Sequence, residues 1–360
     1  MTAPRPRLLF AIPTLRPGGA ERAFSTLVAN LDTERFDVRL AVFDTAGASF
    51  LQDVPAAVEV VDLGSPRIRQ GVAPFVRLVR RLRPDAVVST LEHLNQALCV
   101  SRPAWPRTTR HVVRLANVMQ LASPVSRAAV RALYPFADGL IFQSQAMRAA
   151  YETRLSLRHA RAAVIENPLA VERIRQRAAD EAVVPGYRSD AINLLAIGRY
   201  EPVKGFDLLA EALARTPAAV TLTILGDGPD RAQFEAQIAR LGIGGRVRLA
   251  GYHANPYPFV AQADALVLSS RSEGFPNVVL EALALGTPVV ATPVAGLESF
   301  LAGVPHCQVA RDISAEALAE ALSRFVSTPR GRTPSDVVAP FEASAVARRW
   351  EAYLLDVIAA

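Results

Sequence analysis

Lysine is almost missing from this chain. Of 40 basic residues only Lys204 is a lysine, and arginine is the cation everywhere else. A single ammonium in that background marks either a place where a compact charge fits and a planar guanidinium does not, or a chance survival. Cysteine is scarce too. Cys99 and Cys307 stand far apart, which excludes a disulfide framework or a metal-ligand spacing and fits a reducing, cytoplasmic setting. Long apolar runs are lacking. The first, Leu8 to Leu15, is short and broken by Pro13, unlike a signal-peptide core. The most apolar region, Val278 to Val304, is interrupted by Glu281, Gly286, Pro288 and Pro293. It falls short of the roughly 18 uninterrupted apolar residues of a membrane span. No metal-holding Asp-x-Asp is present, nor a P-loop, a His-Glu-x-x-His or a Gly-x-Ser-x-Gly.

What is there is a chain of 360 residues, 51% apolar and 21% charged. That length exceeds one ordinary core and predicts two domains. Charge is uneven. Residues 1–150 hold 19 Arg against 11 acidic residues, a net of +8, and residues 151–360 carry a net of −2. A basic first half fits an anionic partner, such as a membrane surface or a phosphate-bearing acceptor. A solvated, arginine-rich surface is the other reading.

Short apolar runs alternate with helical stretches. Strands are predicted at Arg7–Pro13, Val38–Phe43, Val58–Asp62, Asp85–Ser89, Thr109–Val113 and Gly139–Phe142, with a helical pattern over Ala20–Leu31. A second series has strands at Ile192–Gly198, Val220–Leu225, Val247–Ala250, Ala265–Ser269 and Pro288–Ala291. This pattern implies α/β units, each a parallel sheet covered on both faces. The polar stretch Arg173–Asp190 reads as a linker and Glu342–Ile358 as a terminal helix. Domains are therefore expected at 1–172 and 191–340, with a linker at 173–190 and the terminal helix in 341–360. Ligands bind at the carboxyl ends of such sheets, so two units facing one another predict a site in the cleft between them.

Four segments follow predicted strands and could carry chemistry. In Ser272-Glu273-Gly274-Phe275-Pro276-Asn277-Val278-Val279-Leu280-Glu281, Asn277 is expected to cap a helix whose free N–H groups suit an anion. Glu281 can accept from both ribose hydroxyls, and Glu273, on the loop, can reach a sugar hydroxyl. A surface glutamate and a glutamate favoured by the helix dipole explain the same residues. In Gly198-Arg199-Tyr200-Glu201-Pro202-Val203-Lys204-Gly205, Arg199 as a fork and Lys204 as a point charge suit a diphosphate. Gly18 and Gly19 either admit a ligand close to the backbone or serve a turn needing positive φ. Glu92 and His93 follow the strand Asp85–Ser89 as candidates for a proton acceptor or a sugar contact, or as helix-start residues bonded only to backbone or solvent.

Taken together, these segments resemble glycosyltransferase family 4, the retaining GT-B enzymes, over nearly the whole chain and most strongly over Ile192–Leu301. Glu273 and Glu281 match the family's paired glutamates, Arg199 and Lys204 its diphosphate pair, and Gly18 and Gly19 its N-terminal glycine loop. Asn167-Pro168 matches the step that closes the first domain. Asn255-Pro256-Tyr257 and the run Ser269 to Asn277 look like bacterial members that extend lipid-linked oligosaccharides. Two features depart from the pattern. Only His93 stands near the family's longer histidine signature, and the glycine-rich loop after Thr292 is reduced to Pro293-Val294-Ala295-Gly296-Leu297-Glu298.

The resemblance implies two Rossmann-like domains, with the C-terminal helix crossing back to the first. It implies transfer, with retained configuration, of a hexosyl or N-acetylhexosaminyl group from a nucleotide-diphospho-sugar, with UDP as the nucleotide, to a glycan or lipid-linked acceptor. Lys204 and Arg199 would neutralise the leaving diphosphate, so neither metal nor cofactor is expected. Glu281 would hold the ribose, Glu273 the transferred sugar, and backbone N–H groups near Phe275, Pro276, Asn277 and Val278 the sugar or phosphate. The expected setting is the cytoplasm, with peripheral attachment to the inner membrane face through Arg67–Arg83 and Arg102–Arg131, and no nucleic-acid partner. Two other readings stay open: a GT-B epimerase of nucleotide sugars, and a non-catalytic nucleotide-sugar-binding protein.

Overall fold

The computed structural model of the chain describes residues 4–116, 123–180 and 184–360. The chain divides into two compact units, 1–169 with 341–360, and 170–340.

The first unit is a seven-stranded parallel sheet. Its strands are β1 (Arg7–Thr14), β2 (Asp37–Asp44), β3 (Glu59–Asp62), β4 (Ala86–Thr90), β5 (Arg110–Arg114), β6 (Gly139–Phe142) and β7 (Ala162–Val164), in the order β3-β2-β1-β4-β5-β6-β7. Central strand β1 shows why the sheet is parallel. Leu8, Leu9, Phe10, Ala11 and Ile12 are all buried, as a strand covered by helices on both faces requires. Leu8, Phe10 and Ile12 share one core with Phe24 and Leu27 of the helix Gly19–Ala29. Leu9 and Ala11 join Phe75, Leu78 and Val79 of the helix Ile68–Leu82.

The last helix, Ala343–Ala359, completes the first of those cores with Val346, Trp350, Leu354 and Val357. Its buried Glu351 accepts from the backbone N–H of Asp32 at 2.8 Å. Tyr353 lies over Gly139, where any Cβ would collide with its hydroxyl.

The second unit is a six-stranded parallel sheet. Its strands are β8 (Ile192–Ile197), β9 (Val220–Leu225), β10 (Val247–Gly251), β11 (Ala265–Leu268), β12 (Val289–Ala291) and β13 (Gln308–Val309), in the order β10-β9-β8-β11-β12-β13. Leu194 and Ala196 on β8, Leu222 and Ile224 on β9, and the helices Phe206–Ala214 and Ala315–Ser327 build its main core.

The segment 173–190, expected as a linker, begins within the helix Val171–Ala178, and its described residues fall in this unit. That helix buries Val171 and Ile174, so its polar residues form an exposed face. Strands β7 and β13 were not expected. They are three and two residues long and half-buried, too short to form an apolar run. Among the described residues no helix is long and apolar enough to cross a membrane.

Candidate active site

In each sheet the strand order reverses between two neighbours, β1 and β4 in the first unit and β8 and β11 in the second. At such a point the loops leaving the two strands part in opposite directions and open a crevice at their carboxyl ends. The sequence-predicted residues fall on those loops and in the first turns of the helices that follow them.

In the second unit β8 leads into a short turn, Pro202–Lys204, and then the helix Phe206–Ala214. Gly205 joins them with φ +62, and a Cβ there would collide with the carbonyl oxygen of Ser269. Glycine therefore both permits the left-handed turn and lets the loop press against the end of β11. Lys204 crosses to the β11 loop, where its Nζ lies 2.7 Å from Oε1 of Glu273. The same oxygen accepts from the Ser270 hydroxyl at 2.7 Å. The Ser269 hydroxyl donates to the Lys204 carbonyl at 2.8 Å. The two side chains are 26% and 15% exposed, an ion pair open to a ligand yet shielded enough to be strong.

Glu281 lies one turn inside the helix Asn277–Ala284 and is 2% exposed. A carboxylate at this depth needs hydrogen bonds or an opposite charge. Pro276, not Asn277, occupies the cap position, with no side-chain capping bond. Proline suits the extended cap conformation (φ −78, ψ 106), so the expected Asn277 cap is corrected. Asn277 and Val278 are half-buried first-turn residues. The Phe275 ring is buried edge-on against Phe300 at 5.7 Å. Pro276 has no N–H to offer.

Arg199 does not join the Lys204 cluster. Its side chain is 70% exposed and its guanidinium lies 3.2 Å from Glu201. The cation that does tie the two loops together is Arg271, which went unremarked in the sequence. It forms a two-pronged pair with Asp207 at 2.7 and 2.5 Å.

In the first unit, Gly18 is extended at φ −172, and neither Gly18 nor Gly19 has positive φ. The expected left-handed turn is absent. At Gly18 the Glu21 carboxylate lies over the bare α-carbon, where a Cβ would displace it. Burial raises the pKa of Glu21, partly opposed by a backbone hydrogen bond and by Arg114. Arg114, at the end of β5, is fully buried and donates to Thr90 at 2.9 Å and to Asn167 at 2.6 Å. Asn167 donates in turn to Gln143 at 3.2 Å. Burial pushes Arg114 down to about 10, against the pull of Glu21. A charged residue directly after the apolar pair Val112-Val113 was the one sequence signal for this network.

Glu92 and His93 separate. Glu92 is buried and accepts from the Tyr134 hydroxyl at 2.8 Å and from Gln96 at 2.5 Å. Burial raises its pKa, while those hydrogen bonds oppose the rise. His93 is exposed at the start of the helix Glu92–Ser101. Leu91, just before, has φ +70 and ψ 132. A branched side chain in that region is strained, and such strain gathers at functional turns.

The fold is the GT-B architecture seen in solved glycosyltransferases. A solved structure of HepE from Anabaena, in complex with UDP and glucose, superposes with a TM-score of 0.75 over 97% of this chain and 99% of that one, at 20% identity. The lipopolysaccharide outer core galactosyltransferase WaaB gives 0.74 over 97% and 99%, at 18%. Residues 17–173 match the family model Glycosyltransferase Family 4, and residues 191–328 the model Glycosyl transferases group 1. Both units thus match glycosyltransferase family models, a different one for each unit.

Among its relatives is the lipopolysaccharide core biosynthesis glycosyltransferase LpsE of Rhizobium meliloti, 39% identical over 145 residues, 40% of this chain and 42% of that one. Another is an N-acetylgalactosaminyltransferase of Campylobacter jejuni that acts on a diphospho-undecaprenol-linked sugar, 27% identical over 296 residues, 78% of each chain. The chain thus spans less than half of LpsE and over three quarters of the Campylobacter enzyme.

Proposed function

We propose that the chain transfers a hexosyl or N-acetylhexosaminyl group from a UDP-sugar to a glycan or lipid-linked acceptor, with retained configuration and without a metal ion. The observation that carries this reading is the Lys204–Glu273 pair at the β8/β11 switch point, 2.7 Å apart and open to a ligand. Lys204, joined by Arg199 once it leaves Glu201, neutralises the diphosphate as it departs, when its charge is greatest. Glu281 accepts from the ribose hydroxyls and Glu273 from the transferred sugar. The acceptor hydroxyl attacks the anomeric carbon on the face from which the diphosphate leaves. The carbon–oxygen bond to phosphate breaks as the new one forms, and the departing phosphate oxygen takes the acceptor's proton. His93, exposed at the corresponding edge of the first unit, contacts the sugar. The UDP and glucose in the HepE complex and the diphospho-lipid acceptor in the Campylobacter enzyme's name support this donor and acceptor class.

The same reading sets the enzyme in the cytoplasm, at the inner membrane face. Arg67, Arg69, Arg77, Arg80, Arg81 and Arg83 are exposed on and around the helix Ile68–Leu82, and no acidic residue lies between Asp62 and Asp85. Such residues near anionic lipid contribute about 1 kcal/mol each. In the second basic stretch, Arg102–Arg131, Arg107 and Arg131 are exposed, while Arg102 and Arg110 engage Asp138 and Arg114 is buried; residues 117–122 lie outside the described residues.

The test is thermal stabilisation by UDP-, GDP- and ADP-sugars on wild type and Glu281→Ala. A ligand at a hundred times its Kd adds about 2.7 kcal/mol. Stabilisation by UDP-sugars alone, weakened in the variant, is expected. Equal stabilisation of both proteins would refute the ribose role of Glu281.

A further inference from the structure

The Lys204–Glu273 pair joins two loops that are far apart in sequence, and something must hold those loops in register. Five contacts do so. The Ser269 hydroxyl donates to the Lys204 carbonyl at 2.8 Å. The backbone N–H of Arg271 donates to the Val203 carbonyl at 2.7 Å. The Arg271 guanidinium donates to the Pro202 carbonyl at 2.7 Å and to both oxygens of Asp207 at 2.7 and 2.5 Å. Arg271 thus grips the turn Pro202–Lys204 on one side and the first turn of the helix Phe206–Ala214, through Asp207, on the other. It stands one residue from Ser270 and two from Glu273, the groups that form the other half of the site.

Resting on the donor-site reading above, we propose that Arg271 and Asp207 are positioning residues for the diphosphate contact. Their fork fixes the height of the Lys204 turn against the Glu273 loop, so that the ammonium meets the leaving phosphate without first reordering its own backbone. A planar fork on a carboxylate is suited to this, because two parallel hydrogen bonds fix direction as well as distance. Lysine in place of Arg271 would keep the charge and lose the geometry. Neither residue touches the donor; each acts through Lys204.

The experiment titrates UDP and UMP against wild type, Lys204→Ala, Arg271→Gln, Asp207→Asn and the Arg271→Gln/Asp207→Asn double variant, with melting temperatures alongside. UMP lacks the β-phosphate, so the ratio of the two affinities reads the diphosphate contact alone. Lys204→Ala should reduce wild type's preference for UDP by about tenfold or more, the worth of one charge-assisted hydrogen bond. Arg271→Gln and Asp207→Asn should each lower the ratio in the same direction. The double variant should fall no further than the worse single one, because both remove the same fork. If Arg271→Gln fails to fold, Asp207→Asn leaves Arg271's bonds to Val203 and Pro202 in place and carries the test. A lowered ratio for Lys204→Ala with wild-type ratios for the clamp variants would overturn the positioning role while leaving the donor site standing, and so would a fallen melting temperature with the ratio intact. An unchanged ratio for Lys204→Ala would overturn the donor-site reading and the positioning role with it.

Discussion

Replacing Lys204 by arginine asks whether the one lysine of the chain is there for its shape. The ammonium sits 2.7 Å from Glu273. Its stem lies across the bare α-carbon of Gly198, where a Cβ would stand 3.2 to 3.3 Å from Cδ, Cε and Cγ of the lysine. A guanidinium is longer and planar. To keep the Glu273 contact it must buckle against Gly198 or overshoot the space a phosphate needs. The variant keeps its charge, so long-range attraction of an anion survives, and what goes is the directed hydrogen bond. That bond is worth about 1.5–3 kcal/mol. At about 1.4 kcal/mol per factor of ten, Lys204→Arg should lose roughly tenfold in UDP affinity and Lys204→Ala up to roughly a hundredfold. Calorimetric titration with UDP, with UDP release from a UDP-sugar in parallel, measures both. An arginine variant with wild-type affinity and turnover would refute the argument. Any cation would then serve, and the lone lysine would be an accident of composition.

Burial holds His111 neutral, its pKa pushed down to about 3. The unfolded chain therefore takes up a proton that the folded one refuses, and stability should fall as pH drops from about 6.5 towards 3. Urea midpoints across that range should decline more steeply for wild type than for His111→Gln, and parallel declines would contradict this origin. Trp350→Ala removes a ring only 1% exposed from the core under β1. It should cost about 3–5 kcal/mol in urea unfolding of the first unit, and an unchanged midpoint would show that the last helix is dispensable. If Lys204 and Arg199 supply the positive charge as proposed, turnover should survive treatment with EDTA. A loss restored by added magnesium would refute the metal-free reading.

The strands were legible because parallel strands covered on both faces leave continuous apolar runs. Eleven of the thirteen described strands were expected, and the two missed, β7 and β13, are half-buried edge strands of three and two residues. The positions of Lys204, Glu273 and Glu281 followed from one rule, that loops at the carboxyl ends of strands carry ligands. Their pairing did not. Lys204 and Glu273 are 69 positions apart and Arg271 and Asp207 are 64, and nothing in the linear order says which charge meets which. Of the two readings of Gly18, the turn with positive φ is not adopted, and the Glu21 carboxylate lying over its α-carbon is a fact about a neighbour that the glycine itself does not reveal. Likewise Arg199 and Lys204, alike as cations five residues apart, diverge because the turn Pro202–Lys204 sends one to Glu201 and the other to Glu273.

The second unit is one unbroken stretch, while the first is assembled from both ends of the chain. During synthesis the order of completion is therefore reversed. Residues 170–340 can close their core as soon as they emerge. The sheet begun by β1 still lacks Val346, Trp350, Leu354 and Val357. Chaperones would meet a chain whose later half is finished and whose earlier half still shows apolar surface around Leu8, Phe10 and Phe24. Products cut short before the last helix would keep that surface open to aggregation and proteolysis. Expressed alone, 170–340 should fold, and 1–169 should not.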